Sequence, residues 1–142
     1  MIRRVLKIGR WVVDFLFATR GYDIDVVLAY LRDAGAPSYI IRDAEDLMLG
    51  CDYNCGFTYS KVMDYRFVNP RNHRAVVLIG PTSSGAEFVD TLAHEIHHLA
   101  VAISKEIGYD LDGEGPAYLS GDTLREFIDV ICELGCKQCN GC

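Results

Sequence analysis

The chain has 142 residues, 50% of them hydrophobic and 24% charged, which suits one domain with one core. Its net charge of −6 offers no phosphate-binding surface, so nucleic acid is excluded as a primary partner. No run reaches the roughly 18 uninterrupted apolar residues of a membrane span. The basic start, Met1 to Lys7, resembles the first part of a secretory signal, but the apolar run after it is broken by Asp14 and no small-x-small cleavage site follows. A cytoplasmic location is therefore the expectation, with the six cysteines mostly as reduced thiols.

Arg10 to Ala18 is rich in aromatic and β-branched residues and reads as a buried strand. Gly21 punctuates it. Asp23 then caps a helix carrying Ile24, Val27, Leu28 and Leu31 at helical spacing, stopped by Gly35 and Pro37. Ser38 caps a second helix, with Ile41, Ala44, Leu47 and Met48 on one side and Gly50 as its stop. Gly56 to Ser60 has strand character, Asp64 to Val68 less so, Asn69 to Asn72 is a turn signal, and Ala75 to Ile79 is a strong strand. The block from Gly56 to Ile79 is expected to be antiparallel, built from hairpins. His73, beside the turn signal, is expected at the surface.

Ser84 and Glu87 form a capping-box pattern ahead of a long helix. Phe88, Leu92, Ile96, Leu99, Ile103 and Ile107 make its apolar stripe, and Gly108 its stop. Within this helix stands His94-Glu95-Ile96-His97-His98. Residues four apart share a helix face, so the imidazoles of His94 and His98 can bind one Zn²⁺ while flanking the apolar stripe. Glu95 lies beside them, where a carboxylate can take a proton from a metal-activated water. His97 is read as a neighbour of the site.

A catalytic zinc needs a third protein ligand and an open fourth position. Glu114 lies sixteen residues after His98, in the connection Asp110 to Pro116, with Asp110 and Asp112 as alternatives. Pro116 opens a last helix with Leu119, Leu124, Phe127, Ile128, Ile131 and Leu134, ended by Gly135. The chain thus divides into a single domain, residues 1–135, and a cysteine-rich tail, 136–142. Cys136, Cys139 and Cys142 have a spacing that suits a second metal site, with Cys132, Cys51 or Cys55 as a fourth donor; a disulfide or free thiols are the other readings.

His94-Glu95-Ile96-His97-His98, followed by Glu114-Gly115-Pro116-Ala117, resembles the gluzincins, the thermolysin-like branch of the HExxH zincin metallopeptidases, and in particular small single-domain minigluzincins. The resemblance implies an α+β fold: a small, mostly antiparallel sheet, an edge strand packed on the HExxH helix, and a C-terminal helix bearing the third ligand. It implies one catalytic Zn²⁺ held by His94, His98 and Glu114, with Glu95 as general base in the hydrolysis of a peptide or protein substrate. Ala75, Val76, Val77, Leu78 and Ile79 would be the edge strand that pairs with the substrate. Tyr118, His73 and Tyr109 are candidate donors to the developing oxyanion, in that order. Asp122 is a candidate to orient a ligand histidine; the family pattern places such an Asp four residues after the Glu, where this chain has Tyr118. The competing readings are a non-catalytic zinc- and peptide-binding regulatory domain and a redox or metal-transfer role for the tail.

Overall fold

The structure is a computed structural model that describes residues 1–63 and 72–135. The expected strand at Asp64 to Val68, most of the turn signal after it, and the cysteine tail lie outside the described residues. The chain runs β1 (Ile2–Ile8), β2 (Trp11–Phe17), α1 (Ile24–Asp33), α2 (Ser38–Gly50), β3 (Gly56–Lys61), β4 (His73–Ile79), α3 (Gly85–Ile107), α4 (Glu114–Arg125) and a short α5 (Ile128–Val130), which continues as a π-helical turn to Gly135. It is an α+β fold around one mixed four-stranded sheet in the order β1-β2-β4-β3.

β2 and β4 are the interior pair, parallel, with Trp11 opposite His73 and Phe17 opposite Ile79. Both are covered on both faces, which is why they read as nearly continuous apolar runs instead of alternating ones. Val13, Phe15, Phe17, Ala75, Val77 and Ile79 face α3 and the C-terminal turns. Leu16, Val76 and Leu78 face α1 and α2. The molecule is therefore a sheet between two helical layers.

β1 is a strand that the sequence reading missed. Its basic residues hid it, and its partly buried side chains are only Ile2, Leu6 and Ile8. Gly9, at φ 55°, makes the two-residue turn into β2. The same basic residues explain Asp14, the charge inside the β2 run. Arg3 donates to its Oδ1 from Nε at 2.9 Å and Nη2 at 2.6 Å, and Arg74 donates to its Oδ2 at 3.1 Å. A buried carboxylate is tolerated there because two guanidiniums neutralise it.

The strand next to the open edge is not the one expected. β4 is interior, and among the described residues β3 is an edge strand, paired antiparallel with β4 alone. The assignment of Ala75 to Ile79 as a substrate-pairing edge strand is thereby corrected. Their apolarity on both faces reflects burial between two helical layers, whereas the edge strand Gly-Phe-Thr-Tyr-Ser-Lys is only half-buried.

A second correction concerns the last helix, which is interrupted. α4 ends at Arg125, and Phe127 turns inward, its ring 4.4 Å from that of Phe15 and 5.6 Å from that of Phe17. Core packing of one aromatic outweighs the continuation of local helix. Cys51 and Cys55 are joined in a disulfide across the turn from α2 to β3, in place of the reduced thiols expected for that pair. Among the described residues, no helix is long and apolar enough to cross a membrane.

Candidate functional site

α3 forms as its residues dictate. Ser84 is its N-cap, and its hydroxyl accepts from the Glu87 N–H at 3.2 Å, satisfying a donor that the helix cannot. Glu87 adds favourable charge in the first turn. Gly108 closes the helix at φ 87°, a left-handed conformation that glycine adopts without steric penalty. Phe88, Leu92, Ile96, Leu99 and Ile103 are buried against the sheet, so the helix can turn only one way.

That orientation leaves His94 and His98 exposed on the flank beside β3. Their Nε2 atoms approach to 3.1 Å, with the rings nearly perpendicular at 79°. Two imidazoles holding one tetrahedral zinc through bonds of about 2.0–2.1 Å would have their nitrogens about 3.3–3.4 Å apart. The pair is therefore set at close to the separation that a shared metal requires. Their donor chemistry, two imidazole nitrogens on a cleft wall, suits zinc as well.

Glu95 takes the opposite environment. It is 5% exposed, tucked between α3 and β3. Its Oε2 accepts the Thr58 hydroxyl proton at 2.6 Å. The Thr58 oxygen also lies 3.2 Å from the Glu95 main-chain carbonyl, a weaker second contact. Gly56 lies over the same carboxylate: a Cβ there would stand 2.5 Å from Glu95 Cγ and Oε1.

β3 and α3 enclose a cleft of about 910 Å³. One end holds His94, Glu95 and His98; Val101 and Ala102 continue the floor; Trp11, Lys105 and Glu106 close the other end. Behind that far end lies a buried cluster. His73 Nδ1 accepts from the Met63 N–H at 3.0 Å, so its ring proton sits on Nε2 and is donated to Glu106 Oε1 at 3.0 Å. The Trp11 indole N–H donates to Glu106 Oε2 at 3.3 Å.

Of the expected site residues, the structure brings together His94, His98 and Glu95. Glu114 is the exposed first residue of α4, which packs along α3. Among the described residues no three His, Cys, Asp or Glu side chains form a metal-binding group, so neither Glu114 nor Asp110 nor Asp112 is gathered to the imidazoles. His73, expected at the surface, is fully buried with both ring nitrogens engaged, which removes it as an oxyanion donor. Tyr118 and Tyr109 are exposed and are not among the described residues lining the cleft. Asp122 lies at the surface beside Arg125 Nη2 at 3.5 Å, an i,i+3 pair on α4. His97 is exposed next to the site. Sequence reasoning overlooked Gly56 and Thr58. Their signal was the alternation Gly56-x-Thr58-x-Ser60, which puts three small residues on one face of a strand.

No protein-family model matches this chain, and neither does any curated protein or any solved structure.

Proposed function

We propose that the chain is a zinc-dependent metallopeptidase of the HExxH type, acting on an extended peptide or protein segment. The observation that carries this reading is the convergence of His94 and His98 Nε2 at 3.1 Å on the wall of a cleft that also holds the Glu95 carboxylate. His94 and His98 are the proposed ligands, with Glu114 as the third. Bound zinc supplies Lewis acidity towards a carbonyl and an acidified water. Glu95 is the group positioned to accept a proton in the cleft and return it to the leaving amine. The outer edge of β3 carries main-chain donors and acceptors beside the cleft, suited to pairing with an extended peptide. The likeness to gluzincins belongs to this proposal, and so does a cytoplasmic location, against which the Cys51–Cys55 bond is the opposing feature.

Metal analysis beside peptide hydrolysis tests the reading. Wild type is expected to hold one zinc, and Glu114→Ala to lower its affinity by roughly 10-fold or more. Glu95→Gln is expected to keep the zinc while losing about 10²-fold or more in hydrolysis. A chain that takes up no zinc after addition of the metal sinks the proposal. One that binds zinc and peptide without turnover is a binding domain instead.

A further inference from the structure

We infer that Thr58, on the edge strand, is the positioning residue for Glu95, with Gly56 as the space that makes the arrangement possible. The inference rests on the peptidase reading and adds to it the part that β3 plays in the chemistry.

A glutamate side chain has three rotatable bonds, and helix position alone does not orient its carboxylate. Here the orientation comes from the neighbouring strand. Glu95 is buried, so its carboxylate needs partners. The Thr58 hydroxyl has one proton, and the 2.6 Å contact to Oε2 takes it in preference to the 3.2 Å contact to the main-chain oxygen. The contact is a short hydroxyl–carboxylate hydrogen bond, the stronger of the two that Thr58 can make. Gly56 and Thr58 are two apart and point to the same face of β3. A side chain at position 56 would occupy the space of the Glu95 carboxylate. Glycine at 56 and a hydroxyl donor at 58 thus place and hold one carboxylate oxygen against β3, on the wall of the cleft that His94 and His98 also line. The same strand offers its outer edge to substrate, so the element that registers the peptide is also the one that aligns the base.

The test uses the full chain loaded with zinc, with Thr58→Val and Thr58→Ser as variants. Valine keeps the shape and removes the donor; serine keeps the donor. Thr58→Val is expected to hold zinc as wild type does, to lose roughly 10–100-fold in kcat, and to change KM by less than about 3-fold. Thr58→Ser is expected to restore kcat to within about 3-fold. A second readout needs no activity: in metal-free protein, Thr58→Val lowers Tm by roughly 3–6 °C in the wild-type background and by less than about 1 °C when Glu95→Ala has already removed the acceptor. The inference is overturned if Thr58→Val turns over peptide like wild type, if serine fails to rescue, or if the Tm effect is the same in both backgrounds. A wild-type chain that binds zinc and hydrolyses no peptide, with the Tm coupling intact, defeats the peptidase reading and the positioning role together and leaves only a structural contact; this differs from an active wild type matched by an active Thr58→Val.

Discussion

The two ends of the cleft use the same residue types for opposite purposes. At one end, His94 and His98 are exposed, and among the described residues the only polar partner of each imidazole is the other. At the other end, His73 is buried, with Nδ1 and Nε2 both engaged in a cluster with Glu106 and Trp11. His98 and Glu106 are eight residues apart on one helix, about 12 Å along its axis. Histidine identity therefore says little about role. A ring nitrogen whose one neighbour is a second imidazole can share a metal with it; a ring whose two nitrogens are already committed to other elements holds the fold.

The largest effect that can break this contrast is on activity. His98→Ala is expected to abolish zinc binding and to lower hydrolysis by about 10³-fold or more, while thermal stability of the metal-free chain stays within about 0.5 kcal/mol, because the side chain is exposed. Loss of folding in that variant, seen by circular dichroism, would place His98 in the structural class.

His73→Ala should do the reverse. It removes a buried ring and strips one hydrogen bond each from the Met63 N–H and the Glu106 carboxylate, so a destabilisation of about 3 kcal/mol is expected by urea denaturation. Zinc stoichiometry of the folded fraction should remain that of wild type. Zinc loss equal to that of His98→Ala would erase the distinction.

A smaller comparison separates partners from burial. The Tyr59 hydroxyl donates to the Gly35 carbonyl at 3.2 Å, whereas the buried Tyr22 hydroxyl has no hydrogen-bond partner among the described residues. Tyr59→Phe should cost about 1 kcal/mol, and Tyr22→Phe should be neutral or slightly stabilising. Burial raises both phenols above their ordinary value of 10.0, with Asp52 adding to the shift at Tyr22. Neutral phenol is the form that the fold favours. Its contribution is complete below pH 10 and is lost as pH rises through the raised pKa. Alkaline melts should therefore show falling stability above pH 10, with a shallower fall in either phenylalanine variant; an unchanged slope in both would count against burial as the cause.

The legible part of the molecule is the part whose evidence is local. The cap at Ser84, the stripe from Phe88 to Ile103, the stop at Gly108 and the shared face of His94 and His98 all follow from spacing within one helix, and α3 carries them as read. The burial of the strand Trp11 to Phe17 was equally plain from composition. What failed depended on pairing. The order β1-β2-β4-β3 puts the strongest strand inside and the weaker one at the cleft, an outcome set by which segments of chain lie side by side. Arg3 reads as a leader charge until its guanidinium is found bonded to Asp14 of the neighbouring strand. His73 reads as a turn residue until β4 carries it between Trp11 and Glu106.

By itself, then, the sequence determined a capped amphipathic helix that presents two histidines and a glutamate, because a helix repeats every 3.6 residues and needs no distant partner to do so. Only the tertiary structure decided that Gly56 and Thr58 stand over that glutamate, that His73 is not a surface group, and that Glu114 begins a helix packed along α3. Those outcomes arise from contacts between residues tens of positions apart, where the surfaces left over after core burial choose the neighbour.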